Sequence, residues 1–331
     1  MLLCRLAENA FWLGRYLERA EDLSRAILAY EEIRLDIPGQ RAPGWQRLAA
    51  CAGVAPEEAE QIAPAAFVSR VILDRQNPSS LLGALHSARE NLRRARSLFP
   101  AECWHTLNPL YLQLGALDRG LPPAALRANL ERVVAATREI AGHIATGMLR
   151  EQGYAFFRMG VQFERADMML RVATIVAETL IPGDPGTPFE DVRWMGLLKS
   201  VGAYGTYRHR YQAATDFRSA LQLLLFEPTF PRSLSHGLDE IGRHLSRLPR
   251  NEDPQLAVVA CWPGGPIETR AALESFAHDT LERLAHASAV LGATYFSLAL
   301  SAPEASRPPR VHPRRHGVGI DEPRDPVAAR P

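Results

Sequence analysis

The stretch GRYLERAEDLSRA at residues 14–26 returns as GVQFERADMMLRV at residues 160–172. Aligning Glu18 with Glu164, an offset of 146 (164 less 18), also matches Phe11 with Phe157, Gly14 with Gly160, Arg19 with Arg165 and Ala20 with Ala166. Glu21 meets Asp167, and Arg25 meets Arg171. A sequence that matches itself at this spacing points to internal duplication. It predicts two similar helices related by an approximate twofold axis.

Helical geometry says where these residues point. At about 100° per residue, Leu6, Leu13, Leu17, Ala20, Ile27 and Leu28 gather on one broad apolar face. Gly14, Glu18, Glu21 and Arg25 form a stripe along its margin, and Gly160, Glu164, Asp167 and Arg171 repeat it. A mid-helix glycine costs about 1 kcal/mol against alanine. Its return in both copies predicts that another backbone packs close there. The two acid–arginine stripes would then meet inside a bundle. Two readings follow: a buried ion-pair network that docks the halves, or a polar pocket for a charged ligand or a catalytic carboxylate. Acids beside arginines have depressed pKa values, which suits pairing better than proton donation.

The rest of the chain carries the same helical signature. Apolar residues recur at three- and four-residue spacing, and no hairpin pattern stands out. Helices are predicted over 2–34, 44–52, 57–75, 77–100, 102–118, 123–150, 153–181, 189–203, 204–226, 231–248 and 266–300, separated by Pro and Gly breakers that include Pro254. The fold class is all-α: a single multi-helix bundle over residues 1–300. Residues 301–331 are rich in Pro and Arg and poor in apolar side chains. They predict a disordered tail, because burial cannot offset their ordering entropy.

Composition narrows the function. A net charge of +1 gives no global attraction to nucleic acid or to an anionic membrane. Lys199 is the single lysine beside the arginines. A GC-rich genome accounts for that bias more simply than guanidinium chemistry does. The four cysteines are scattered without a CxxC pair, so neither zinc knuckle nor redox pair is signalled. The charged N-terminus is no signal peptide, and no stretch is long and apolar enough for a membrane span. A cytoplasmic protein with free thiols is expected.

His236, Glu240 and His244, and then His278, Glu282 and His286, spell His-x₃-Glu-x₃-His twice. Both rows fall across from the predicted core faces, so they read as solvated and no metal is expected. Arg93, Arg94 and Arg96 read as the outer face of an amphipathic helix. Arg232-Ser233 opens a helix, either as a simple cap or as an anion site at a helix N-terminus. The chain has no phosphate loop and no nucleophile elbow, and calls for no cofactor.

Five stretches together carry a resemblance: CRLAENAFWLGRYLERAEDLSR, NPSSLLGALHSARENLRRAR, FFRMGVQFERADMMLR, WMGLLKSVGAYGTYRHRYQ and LLLFEPTFPRSLSHGL. The chain resembles the bacterial alpha-E domain family, helical proteins with a Glu-Arg motif, over residues 1–300. The resemblance implies Glu18, Arg19, Glu164 and Arg165 as the motif residues, with Arg89, Glu90, Arg208, Arg232 and Ser233 as weaker additions. It implies a setting beside a circularly permuted ATP-grasp protein, with a transglutaminase-like peptidase as a further partner. The expected role is an accessory component of a peptide- or amide-bond-forming system. The alternative is an enzyme using the paired Glu/Arg centre on a peptide or small charged metabolite.

Overall fold

The helix predicted at the N-terminus is the axis of the molecule. In the computed structural model, α1 runs from Cys4 to Asp36 and is wrapped on nearly every side. Its buried residues include Ala7, Phe11, Leu13, Leu17, Leu23, Ile27 and Tyr30, and also the polar Glu18, Glu21, Asp22 and Ser24. A single core face was expected. The helix is central because other helices pack around its whole girth.

The structure describes residues 2–36, 48–49, 51–117, 122–179, 188–212, 214–262 and 267–297. The tail expected at 301–331, and most of the helix expected over 44–52, lie outside the described residues. The described chain is all-α, with thirteen α-helices and no strand. After α1 come α2 (Pro56–Glu60), α3 (Pro64–Phe67), α4 (Leu81–Arg94), α5 (Ala101–Gly115) and α6 (Pro123–Gly147). Then follow α7 (Gln152–Thr179), α8 (Pro188–Ser200), α9 (Tyr204–Tyr211), α10 (Phe217–Leu221), α11 (Leu234–Leu245), α12 (Glu252–Val259) and α13 (Arg270–Tyr295).

The duplication extends well beyond α1 and α7. Helix α1 packs on α4 and α6, and α7 packs in the same way on α11 and α13. Helix α5 joins α4 to α6, as α12 joins α11 to α13. A π-helical turn precedes the first of these partners in each half, Val68–Ile72 before α4 and Gln222–Phe226 before α11. The caps repeat too. Ser80 accepts from the Gly83 amide at 3.0 Å and donates to the Asp74 carbonyl. Ser233 accepts from the His236 amide at 3.1 Å and donates to the Glu227 carbonyl. Each serine satisfies a free amide at its helix N-terminus. Identities survive here too: aligned on the capping serines, Pro78 meets Pro231, Leu81 meets Leu234, Leu85 meets Leu238, Leu92 meets Leu245 and Arg94 meets Arg247.

Two predicted helices break where the structure shows turns. The 57–75 segment divides into α2, α3 and a π turn, and 204–226 into α9, α10 and a π turn. Helix α12 was not expected, because Pro254 reads as a breaker. Pro254 is the third residue of that helix, where its missing N–H has no intrahelical partner to lose.

Candidate functional site

The crossing of α1 and α7 sets the site. Gly14 sits against the carbonyl of Phe157, and Gly160 against the carbonyl of Phe11. A Cβ at either position would overlap that oxygen, so the backbones touch only because both residues are glycine. Phe11 also stacks edge-on against Phe163, 5.8 Å between centroids. One turn further along each helix, the Glu-Arg pairs face each other.

The pairing is reciprocal. Arg165 donates from Nε and Nη2 to the two oxygens of Glu18 at 2.8 and 2.9 Å. Arg19 donates from Nε and Nη2 to the two oxygens of Glu164, the second at 2.9 Å. These are bidentate forks of the kind guanidinium geometry favours. Each arginine also donates from Nη1 to a carbonyl just before the capped helix: Arg19 to Pro78 at 3.5 Å, and Arg165 to Pro231 at 3.0 Å. Each arginine therefore ties three segments together: α1, α7 and the turn before α4 or α11.

The second ligand of each carboxylate breaks the symmetry. Glu164 takes Arg15 from α1, whose Nε donates at 2.7 Å. The residue equivalent to Arg15 is Val161, which cannot reach Glu18. Arg232 fills the role instead, with Nη1 at 3.1 Å from Glu18. The same guanidinium donates to Asp22 at 3.0 Å and to Glu21 at 2.7 Å. Glu21 also accepts from Arg25 at 2.8 and 2.9 Å and from the Thr137 hydroxyl at 3.2 Å. Asp167 and Arg171, by contrast, pair with each other, at 2.6 Å along the outside of α7.

The charges follow from this geometry. Burial alone would raise the Glu18 carboxyl, but the Arg165 and Arg232 guanidiniums overcome it and hold it down at about 2. Burial likewise opposes ionisation of Glu164, and Arg15 and Arg19 bring its pKa below the usual range. Asp22 goes the other way. Burial, reinforced by Glu18 and Glu21, raises it well above an ordinary aspartate despite Arg232. Burial opposes the charge on Arg232 as well, but Glu18, Asp22 and Glu21 outweigh it and keep the guanidinium protonated.

A cavity of about 210 Å³ opens beside the Glu18 pair. Glu18, Glu21, Arg165 and Arg232 form its polar side, Leu17, Phe157 and Val161 its apolar side, and Arg138 and Arg158 also line it. The position equivalent to Arg158 is Trp12. There Trp12 stacks on Tyr16 at 5.6 Å, Arg15 lies over Trp12 at 5.5 Å and Arg19 lies over Tyr16 at 5.4 Å. Aromatic rings and Arg15 thus occupy on one side the space that a valine and an arginine leave open on the other.

The remaining candidates lie elsewhere. Arg89 bonds Glu90 at 2.9 Å and Asn108 at 2.8 Å, and lies over Trp104 and Tyr111. Arg208 lies over Tyr204. None of these partners belongs to the Glu18 or Glu164 group. Ser233 is the cap of α11, and the Arg232 fork is turned to carboxylates rather than to a free anion. The first His/Glu row is not solvated as expected. Glu240 and His244 are half-buried where α11 meets α7, with Glu240 near Arg158 at 3.6 Å and His244 against Tyr154. His278 and Glu282 are exposed. Among the described residues, no group of three or more His, Cys, Asp or Glu could hold a metal ion, and no helix is long and apolar enough to cross a membrane. No local pattern in the sequence marks Asp22, Thr137, Arg138 or Arg158. Arg15 lies within the quoted repeat, but its partner position is Val161, so the self-match carries no signal for it.

Comparison with known proteins gives a family. The model of the Alpha-E family, a predicted alpha-helical domain with a conserved ER motif, matches residues 2–296. The chain belongs to that family, and Glu18-Arg19 and Glu164-Arg165 are the two Glu-Arg dipeptides that the crossing of α1 and α7 brings together. An uncharacterized protein of Mycobacterium bovis is 22% identical over 272 residues, covering 74% of this chain and 30% of the relative. An uncharacterized protein of Mycobacterium tuberculosis is 21% identical over the same span and coverage. The chain therefore spans about 30% of the length of these relatives. No solved structure matches.

Proposed function

We propose that this chain is an accessory helical component of an ATP-grasp-linked system that forms or modifies peptide or amide bonds. The observation that carries this reading is the use made of the Glu-Arg motifs. Both carboxylates are held by bidentate arginines that lower their pKa values, so neither is poised to move a proton near neutral pH. They act as a double clamp that fixes how the two halves dock. The chain also has no phosphate-binding loop of its own, so nucleotide chemistry falls to a partner. The resemblance implies a circularly permuted ATP-grasp protein as that partner, with a transglutaminase-like peptidase as a further one. The longer relatives fit a helical unit that works within a larger assembly.

The test is purification of the tagged chain from its native host, with mass spectrometry of what elutes with it. The ATP-grasp protein should co-elute in fixed proportion, and ATP-dependent amide formation should drop when this chain is removed. A chain that elutes alone and whose loss leaves ligation unchanged counts against the proposal.

One observation favours a second reading, an enzyme acting on a peptide or small charged metabolite. The Glu18 crossing adjoins a cavity, which a purely structural clamp does not require. Turnover of a peptide or metabolite by the isolated chain would decide for it.

A further inference from the structure

We propose that the cavity between α1, α6 and α7 binds a small organic carboxylate, its head held by Arg138 and Arg158 and its apolar body against Leu17, Phe157 and Val161. The inference deepens the second reading by naming a ligand class. It asks only for binding, so a failure to find turnover leaves it standing, and a failure to find binding leaves the clamp untouched.

The charge balance of the lining selects an anion. Four guanidiniums, Arg138, Arg158, Arg165 and Arg232, surround two carboxylates, Glu18 and Glu21. The acids have little left to offer a cation. Glu18 already accepts from both Arg165 donors and faces Arg232, and Glu21 accepts from Arg25, Arg232 and Thr137. Two of the arginines are different. Arg138 stands 3.6 Å from Glu21, and Arg158 stands 3.6 Å from Glu240. Neither distance is a hydrogen bond of ordinary length. Glu240 is itself paired more closely with Arg243. Arg138 and Arg158 thus keep donors that a planar carboxylate can take in a fork.

The apolar wall adds the second requirement. Leu17, Phe157 and Val161 are buried but for a narrow margin along the cavity, and an alkyl or aryl body covers that margin where a free inorganic anion does not. The two floor carboxylates further favour a singly charged head over a dianion. The other half of the molecule shows what a filled version looks like. There Arg15 replaces Val161 and donates to Glu164, with Trp12 over it. The cavity exists because that filling is missing on the Glu18 side.

N-acetyl-L-leucine is a suitable probe: a blocked amino acid with one carboxylate and a branched apolar body. Calorimetric titration of the full chain at low ionic strength should give saturable one-to-one binding. N-acetyl-L-leucinamide, which lacks the charge, and inorganic phosphate, which lacks the body, should each bind at least about tenfold more weakly. Arg138→Ala and Arg158→Ala should each weaken the carboxylate about tenfold or more. Val161→Arg should place a guanidinium in the cavity, as Arg15 does opposite, and abolish binding while the melting temperature holds. The site is overturned by no saturable binding up to about 10 mM. It is equally overturned if the amide or phosphate binds as well as the acid, or if affinity survives both arginine substitutions.

Discussion

The two Glu-Arg crossings start from the same residues and end differently. At Glu164 the carboxylate is enclosed by Arg15 and Arg19, with Trp12 and Tyr16 stacked over them. At Glu18 the second arginine comes from a distant loop, two more acids crowd in, and a cavity remains. Duplication fixed the bidentate pairs in both halves. Divergence at the positions of Arg15/Val161 and Trp12/Arg158 made one crossing closed and the other open. Buried ion pairs add little net stability yet are costly to break, so such pairs persist while their surroundings change.

The largest effects should come from the feature the crossings share. Alanine at Gly14 or Gly160 drives a Cβ into carbonyl oxygen of the facing helix, where no side chain can yield. Each substitution should cost about 3 kcal/mol or more, and the double variant should not fold cooperatively. Denaturant unfolding measures it, and a loss below about 1 kcal/mol would mean that the helices do not cross there.

Next come the carboxylates, where the comparison can be broken outright. Glu164→Gln strands Arg15 and Arg19 in a closed setting and should destabilise by about 3–5 kcal/mol. Glu18→Gln should cost roughly half as much, because Arg232 keeps Glu21 and Asp22 and the cavity admits water. Equal losses, or a reversed order, would show that the two crossings are energetically alike. A double-mutant cycle of Glu18 with Arg165 should show strong coupling, since the two form one unit.

Acid should act through the same groups. The Glu18 pKa is lowered from 4.5 to about 2, so its contribution is complete above 4.5 and is lost as the pH falls through 2. Glu164, also lowered, adds in the same direction. His244 acts earlier. Burial, with Arg158, Arg247 and Arg243 nearby, lowers it from 6.5 to about 4 against Glu240, so stability should begin to fall below about 6.5. Melting temperatures across this range should show the early step vanish in His244→Gln and the late step shrink in Glu164→Gln.

Smaller still are the caps. Ser80→Ala and Ser233→Ala should each cost about 1 kcal/mol, and by similar amounts if the halves are built alike. The smallest effect is expected at Asp22, which has no acidic counterpart in the other half. Its raised pKa means that ionising it opposes folding as the pH rises through the folded value. Asp22→Asn should therefore be neutral or stabilising by up to about 1 kcal/mol near neutral pH, with the gain disappearing in acid where both side chains are uncharged. A clear loss at neutral pH would mark Asp22 as a required partner of Arg232.

Much of this architecture could be read in the residues. The three-and-four spacing predicted helices, and the glycines of the repeat predicted a close backbone approach that the Phe11 and Phe157 carbonyls supply. The stripe predicted acids and arginines together inside the bundle, and Glu18, Glu21, Arg25 and Glu164 lie there, whereas Asp167 and Arg171 pair along the outside of α7. Reading failed where a local signal stood for something non-local. Pro254 looked like a breaker and is a first-turn residue. Glu240 and His244 looked solvated on their own helix and are half-buried, because α7 covers them.

What the sequence determined by itself is the set of parts: helices, an internal duplication and two Glu-Arg pairs. Helical periodicity and self-similarity are local properties, written within one or two turns of chain. Which guanidinium serves which carboxylate was decided by the tertiary structure alone. Arg232 reaches Glu18 from 214 residues away (232 less 18), and Thr137, Arg138 and Arg158 meet the same spot from two other helices. The physical reason is that a cavity and a shared charge network depend on how filled surfaces fit when helices pack. A valine opposite an arginine leaves no trace in the sequence until both have neighbours.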